Sequence, residues 1–239
     1  MLASGSISSM PAQDKNWALM TACICGRSAA AEELLLQDTD ATAANTCGHT
    51  PLIFASIGGH VQIVQMLLSH KADPLPSNGH GHTALSLASM VGHTQIAKLL
   101  LLHGADVQAT DEDGATSLIM ACMGGNHDTA ELLLFHGANV HAADAYGSTA
   151  LMAAAAWGHV TIVKLLLTHR ADPAMKNNKG RTAYSVAVDS HQRETASLLY
   201  QYQLLQKHAA ACCLQLGSGS KPWLPSHVVQ HIAALVFGL

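Results

Sequence analysis

Between Thr50 and His80 the apolar and polar positions fall into three short stretches. Val61, Ile63, Val64, Leu67 and Leu68 carry the spacing of one face of an α-helix. A shorter apolar run, Pro51 to Ile57, precedes them and predicts a first helix. Thr50-Pro51 opens that run as a helix start. Proline at the first helical position lacks only an N–H that would have no partner, and the threonine before it is placed to cap the helix. Gly58-Gly59 ends the run with residues that tolerate left-handed backbone. From Ala72 to His80 come Asp, Pro, Asn and Gly, so the chain turns there. The stretch predicts two helices and a protruding turn.

The pattern recurs. Gly48, Gly81, Gly114, Gly147 and Gly180 stand at intervals of 33, with Ala55, Ala88, Ala121, Ala154 and Ala187 seven residues after each. Gly59, Gly92, Gly125 and Gly158 fall between the predicted helices, and Leu67-Leu68, Leu100-Leu101, Leu133-Leu134 and Leu166-Leu167 close the units. His70-Lys-Ala-Asp-Pro, His103-Gly-Ala-Asp-Val, His136-Gly-Ala-Asn-Val and His169-Arg-Ala-Asp-Pro follow. One step earlier the pattern survives in weaker form, with Lys15 at the glycine place, then Leu19, Ala22, Gly26 and Leu34-Leu35.

Gly48-His-Thr-Pro-Leu52 and Gly58-Gly-His60 resemble the Gly-x-Thr-Pro-Leu-x-x-Ala-Ala turn and first helix of ankyrin repeats, and the resemblance covers about residues 15 to 202. It implies an all-α solenoid of stacked helix-turn-helix units with protruding β-turn tips. Physical reasoning agrees: a lone helix pair cannot bury its apolar face, and stacked neighbours supply the core. Six units are expected, starting near 15, 48, 81, 114, 147 and 180. A flexible tail, 1–14, would precede them. An extension of the last helix (203–216), a linker (217–222) and an amphipathic helix (223–239) would follow. The end units deviate with Lys15 and Asn16 in the first, and with Asp189, His191, Gln192, Arg193 and Glu194 in the sixth. These are read as polar caps where no neighbour stacks.

Composition narrows the function. Apolar residues make up 49% of 239 and aromatics 4%, which favours packed helices over sheets. A net charge of −4 leaves no electrostatic footprint for nucleic acid. No apolar run approaches the ~20 residues of a membrane span, and the first residues lack the pattern of a secretory signal. The chain is expected to be intracellular, cytoplasmic or nuclear, with six reduced cysteines. Catalytic signatures such as G-x-S-x-G, a phosphate-binding loop or H-E-x-x-H are absent, so no enzyme activity, cofactor or small-molecule substrate is expected.

Sixteen histidines raise the question of metal. His60, His93 and His159 follow the inter-helix glycine, and His70, His103, His136 and His169 recur at second-helix ends. Equivalent positions on stacked helices lie roughly 8–10 Å apart, whereas zinc gathers its ligands at about 2.0–2.1 Å. A role in turn and helix-end hydrogen bonding fits better. Cys23-x-Cys25 has neither redox nor zinc spacing and reads as packing.

The positions that vary between units are the candidates for specificity. The fifth residue after each glycine includes Ile53, Ile119 and Met152; the ninth includes Ile57, Met90 and Met123; the tenth includes Val91 and Trp157. In unit one, Met20 and Ile24 join them. The ankyrin resemblance places this apolar, methionine-rich stripe on a concave groove that binds a protein partner, and methionine adapts to varied surfaces. Packing between units is the competing role for the same residues. Trp157 is the strongest single candidate, because aromatics dominate interface hot spots. The turn tips run from histidine-rich (His80, His82) through acidic (Asp113) to Tyr146 and basic (Lys179, Arg181), a polar rim for the same groove. Many ankyrin units end in an asparagine that is hydroxylated. Here Leu75, Gln108, His141 and Ala174 hold that place, so the modification is not implied.

After the linker, Leu224, Pro225, Val228, Val229, Ile232 and Leu235 form an amphipathic pattern similar to the opening of an F-box. That resemblance implies docking to a cullin-type ubiquitin-ligase adaptor. A helix covering the last repeat or an oligomer contact explains the same pattern, and Phe237-Gly-Leu239 would suit a groove that captures a C-terminal carboxylate.

Overall fold

The computed structural model describes residues 10–37 and 39–215, with side chains as far as residue 208. The described residues are all-α, a helical-repeat fold. The chain divides into two compact units, one ending at Ala138 and the other beginning at Asn139.

Among its described residues the first unit holds eight helices: α1 (Ala12–Ile24), α2 (Ser28–Leu36), α3 (Pro51–Ile57), α4 (Val61–Ser69), α5 (Ala84–Val91), α6 (Thr94–Leu102), α7 (Ser117–Met123) and α8 (His127–Phe135). They pack as four pairs. First helices α1, α3, α5 and α7 stack in one row and second helices α2, α4, α6 and α8 in another. The second unit repeats the plan with α9 (Ala150–Trp157), α10 (Val160–Thr168), α11 (Ala183–Asp189) and α12 (Arg193–Gln215), α9 stacking on α11 and α10 on α12.

Thr50, Thr83, Thr116, Thr149 and Thr182 each cap a first helix, the side-chain oxygen accepting from the backbone N–H three residues on. Thr83 and Thr182 form reciprocal capping boxes with Ser86 and Ser185. Leu52, Leu85, Leu118 and Leu151 of the first helices are fully buried, as are Leu67, Leu100, Leu133 and Leu166 of the second. Each such leucine contributes about 1.5–3 kcal/mol when taken out of water.

The helix pairs lock to one another through the residue after the inter-helix glycine. The Nε2–H of His60 donates to the carbonyl of Ile24 and that of His93 to the carbonyl of Ile57, both at 3.2 Å. The acceptors are carbonyls, so this ring nitrogen must carry the proton. In the fourth pair Asn126 takes over, its amide donating to Ser89 and Met90 carbonyls at 2.9 and 2.8 Å. Gly59 has φ +75°, and a Cβ there would stand 2.6 Å from the His93 ring, so glycine is required both for the backbone and for the neighbour's imidazole.

One boundary differs from expectation. The tail read as 1–14 ends earlier, because α1 starts at Ala12, directly after Pro11, whose carbonyl accepts from Asp14 and Lys15. The sixth repeat's second helix and its extension are one helix, α12. His191 and Gln192 occupy repeat positions. His191 takes the left-handed glycine place at φ +61°, and the Gln192 side chain packs against Gly158. The linker 217–222 and the segment 223–239 lie outside the described residues.

Candidate partner-binding surface

From the second repeat to the sixth, each carries a hairpin-like tip pinned by an Asn or Asp, three residues before the repeat glycine. Asn78 Oδ1 accepts from the N–H groups of His80 and His82, Asp144 Oδ1 from Tyr146 and Ser148, and Asn177 Oδ1 from Lys179 and Arg181. Successive tips are joined through main chain: Gly79 N–H donates to the Cys47 carbonyl, Glu112 to His80 and, in the second unit, Asn178 to Tyr146. The side chains at the tips are thereby held at fixed places while pointing outward. His80, Asp113, Tyr146, Lys179 and Arg181 are all exposed. His82 is half-buried, and its Nδ1 faces the Oδ2 of the buried Asp111 carboxylate at 3.4 Å. The Nδ1 is too poorly aligned for a hydrogen bond but close enough for an ion pair when the ring is protonated.

The candidates on the first helices separate into two classes. Met90, Val91 and Met123 are exposed, Met90 and Met123 by 40% and 42%, with Ile24 exposed and Ile57 half-buried in the same row. Ile53, Ile119 and Met152 are only 1%, 2% and 2% exposed, and the expectation that they face a partner is corrected. They sit in the first helical turn, just past the threonine cap, where the stacked first helices pack together; the ninth position lies in the last turn, by the glycine, and opens to solvent. Met20 is buried as well. In the second unit Trp157 is 61% exposed at the end of α9, and Arg181 pairs with Asp189 at 3.1 Å.

The histidines at second-helix ends cap their own helices. Nδ1–H of His70, His103 and His169 donates to the carbonyls of Met66, Leu99 and Leu165, each at 2.9 Å. His49 stacks on Phe54 and its Nε2 accepts from the Asn78 amide at 3.1 Å. Among the described residues no cluster of three or more His, Cys, Asp or Glu is placed to hold a metal ion. Burial pushes the Cys23 thiol up to about 12 and raises that of Cys122, whereas Cys25 and Cys47 are exposed. Among the described residues no helix is long and apolar enough to cross a membrane.

The description "Ankyrin repeats (3 copies)" matches residues 19–111, 72–144, 101–177 and 118–209. The chain belongs to the ankyrin-repeat family. No curated protein matches it. Ankyrin repeats are generally protein–protein interaction modules, and protein partners are the coarse expectation for this one.

One exposed feature escaped the sequence reading. Leu36, Leu102 and Phe135 end α2, α6 and α8 in the same register and are all exposed, Phe135 by 84%. The signal was available: Ser69 and Thr168 hold the equivalent places in other ankyrin units, so an apolar residue there is not needed for packing. The candidates Leu224, Pro225, Val228, Val229, Ile232 and Leu235 lie outside the described residues.

Proposed function

We propose that this ankyrin array is a non-catalytic binding module whose protein partner is held by the methionine-bearing edge of the first helices, with the tips as polar rim. The observation that carries the reading is the split within one helix row: Ile53 and Ile119 are core, while Met90, Val91 and Met123, a few residues further on, present apolar side chains to water. Methionine's flexible, polarisable chain accommodates a partner surface that a β-branched residue would clash with. Trp157 supplies an aromatic anchor of the kind that dominates interface energetics in the second unit.

Affinity capture with the full chain, read by mass spectrometry, tests this when wild type is set beside Met90→Ser/Met123→Ser/Trp157→Ser. All three side chains are exposed, so the variant should keep its helical signal and melting behaviour while losing the partners that wild type retains. Capture of the same proteins by both would sink the assignment.

A further inference from the structure

The last repeat leaves an apolar end face. Position by position along the 33-residue register, Tyr184 corresponds to Leu52, Leu85 and Leu151, Val188 to Ser56, Ser89 and Ala155, and Tyr200 to Leu68, Leu101 and Leu167. Those counterparts are buried, Leu101 half-buried, because a following helix pair stacks on them: α5 with α6 on α3 and α4, α7 with α8 on α5 and α6, and α11 with α12 on α9 and α10. In the sixth repeat Val188 is 47% and Tyr200 50% exposed, Tyr184 is half-buried, and the two tyrosine rings lie 5.9 Å apart. The surface on which a seventh repeat would stack is thus aliphatic and aromatic. Charged Asp189, Arg193 and Glu194 flank it in sequence.

We propose that residues 223–239 of this chain cover that face, lying across α11 and α12 as a terminal half-repeat. Three observations select this occupant. First, Trp223 to Leu239 contains no Asp, Glu, Lys or Arg, and its Val228, Val229, Ile232, Leu235 and Val236 fall at helical spacing. Such a segment suits a dry surface and has little to hold it in water. Second, the reach is right. From Tyr200 to Gln215, α12 advances about 22 Å at 1.5 Å per residue, and residues 216–222, when extended, span up to about 25 Å. Trp223 can therefore return to the level of Tyr200. Third, the lengths match: a helix over 225–239 is about 22 Å long, comparable with the stretch of α12 that runs from Arg193 past Tyr200. Val229 and Ile232, on the apolar stripe of that spacing, are the residues the proposal pairs with Val188 and Tyr200.

Hydrogen exchange on the full chain tests the proposal, with two variants made on opposite sides of the contact. In wild type, amides of 226–236 are expected to exchange at least about tenfold more slowly than an unstructured chain. Val188→Asp/Tyr200→Asp should abolish that protection, and Val229→Asp/Ile232→Asp should speed exchange in 184–200 by a similar factor while leaving Ile162 to Leu167 unchanged. Val188 and Tyr200 are exposed, so their replacement spares the repeat core, and the wild-type measurement needs no variant at all. Three results would overturn the proposal. One is unprotected 226–236 in wild type. Another is protection that survives Val188→Asp/Tyr200→Asp, which means the segment docks elsewhere. The last is protection that appears only with a concentration-dependent dimer in light scattering, which makes a second copy the occupant. Binding of a ligase adaptor to 223–239 with the end face left open would count against it equally.

Discussion

His93 reaches back one repeat and donates its Nε2–H to the main-chain carbonyl of Ile57 across 3.2 Å. The bond satisfies a helix-end carbonyl that α3 itself cannot pair, and it sets the imidazole over Gly59. His93→Ala should therefore cost about 1–2 kcal/mol in chemical denaturation, the range for stranding a part-buried acceptor. His93→Asn should recover part of the loss, because Asn126 does the same work one repeat later. An alanine variant as stable as wild type would show that the bond is incidental.

Among the described residues, Lys71, Arg170 and His191 are the non-glycine ones with left-handed backbone, at φ +64°, +66° and +61°. Lys71 and Arg170 stand where Gly104 and Gly137 stand in the neighbouring repeats, and a Cβ at those glycines meets nothing within 4 Å. Space is therefore not the issue; backbone strain is. Lys71→Gly and Arg170→Gly should each stabilise the protein by about 1 kcal/mol, the order of the left-handed penalty. Thermal melts of the two single variants and the double would check both size and additivity.

Ser56 is fully buried and its hydroxyl has no partner, while Ser89, one repeat on, donates to the Leu85 carbonyl at 2.7 Å. The same register position is Ala155 in the fifth repeat. Ser56→Ala removes an unpaired polar group and should raise stability by about 1 kcal/mol. Ser89→Ala loses a made bond and should not. The sign of the difference between the two variants, read by urea unfolding, decides the point.

Burial holds the thiols of Cys23 and Cys122 protonated, Cys23 up to about 12 against an ordinary 9.0. Iodoacetamide should label Cys25 and Cys47 in the folded protein at pH 8 and spare Cys23 and Cys122, as read by peptide mass spectrometry. The raised values also fix a direction for stability. The contribution is whole below the unfolded thiol's pKa and drains away as pH climbs from 9.0 toward 12, since only the unfolded chain ionises there. Cys23→Ala should flatten that alkaline slope.

The helix pairs were legible because their punctuation is chemical. Thr50-Pro51 and Gly58-Gly59 act through local backbone geometry, so a periodic reading finds the ends of α3 and α4 without any tertiary knowledge. The solvent face was less legible. Ile53 and Ile57 are one helical turn apart and chemically identical, and only the packing of neighbouring first helices separates the buried one from the half-buried one. The roles of the histidines were half legible. Spacing pointed to turn and helix-end hydrogen bonding, but which ring nitrogen points where depends on whether the nearest acceptor belongs to the preceding repeat, as for His93, or to the same helix, as for His103. The tip asparagines and aspartates recur every 33 residues and were readable in principle, since an Asx side chain folding onto its own backbone is a local event.

Within each unit successive tips share a main-chain bond, Gly79 to Cys47, Glu112 to His80, Asn178 to Tyr146, beside side-chain contacts such as Asn78 to His49. Those main-chain bonds use the backbone atoms of Cys47, His80 and Tyr146, not their side chains. What each tip displays can therefore change by single substitutions while its position is inherited unaltered. A chain built this way can be turned toward a new binding partner without first being made to fold again.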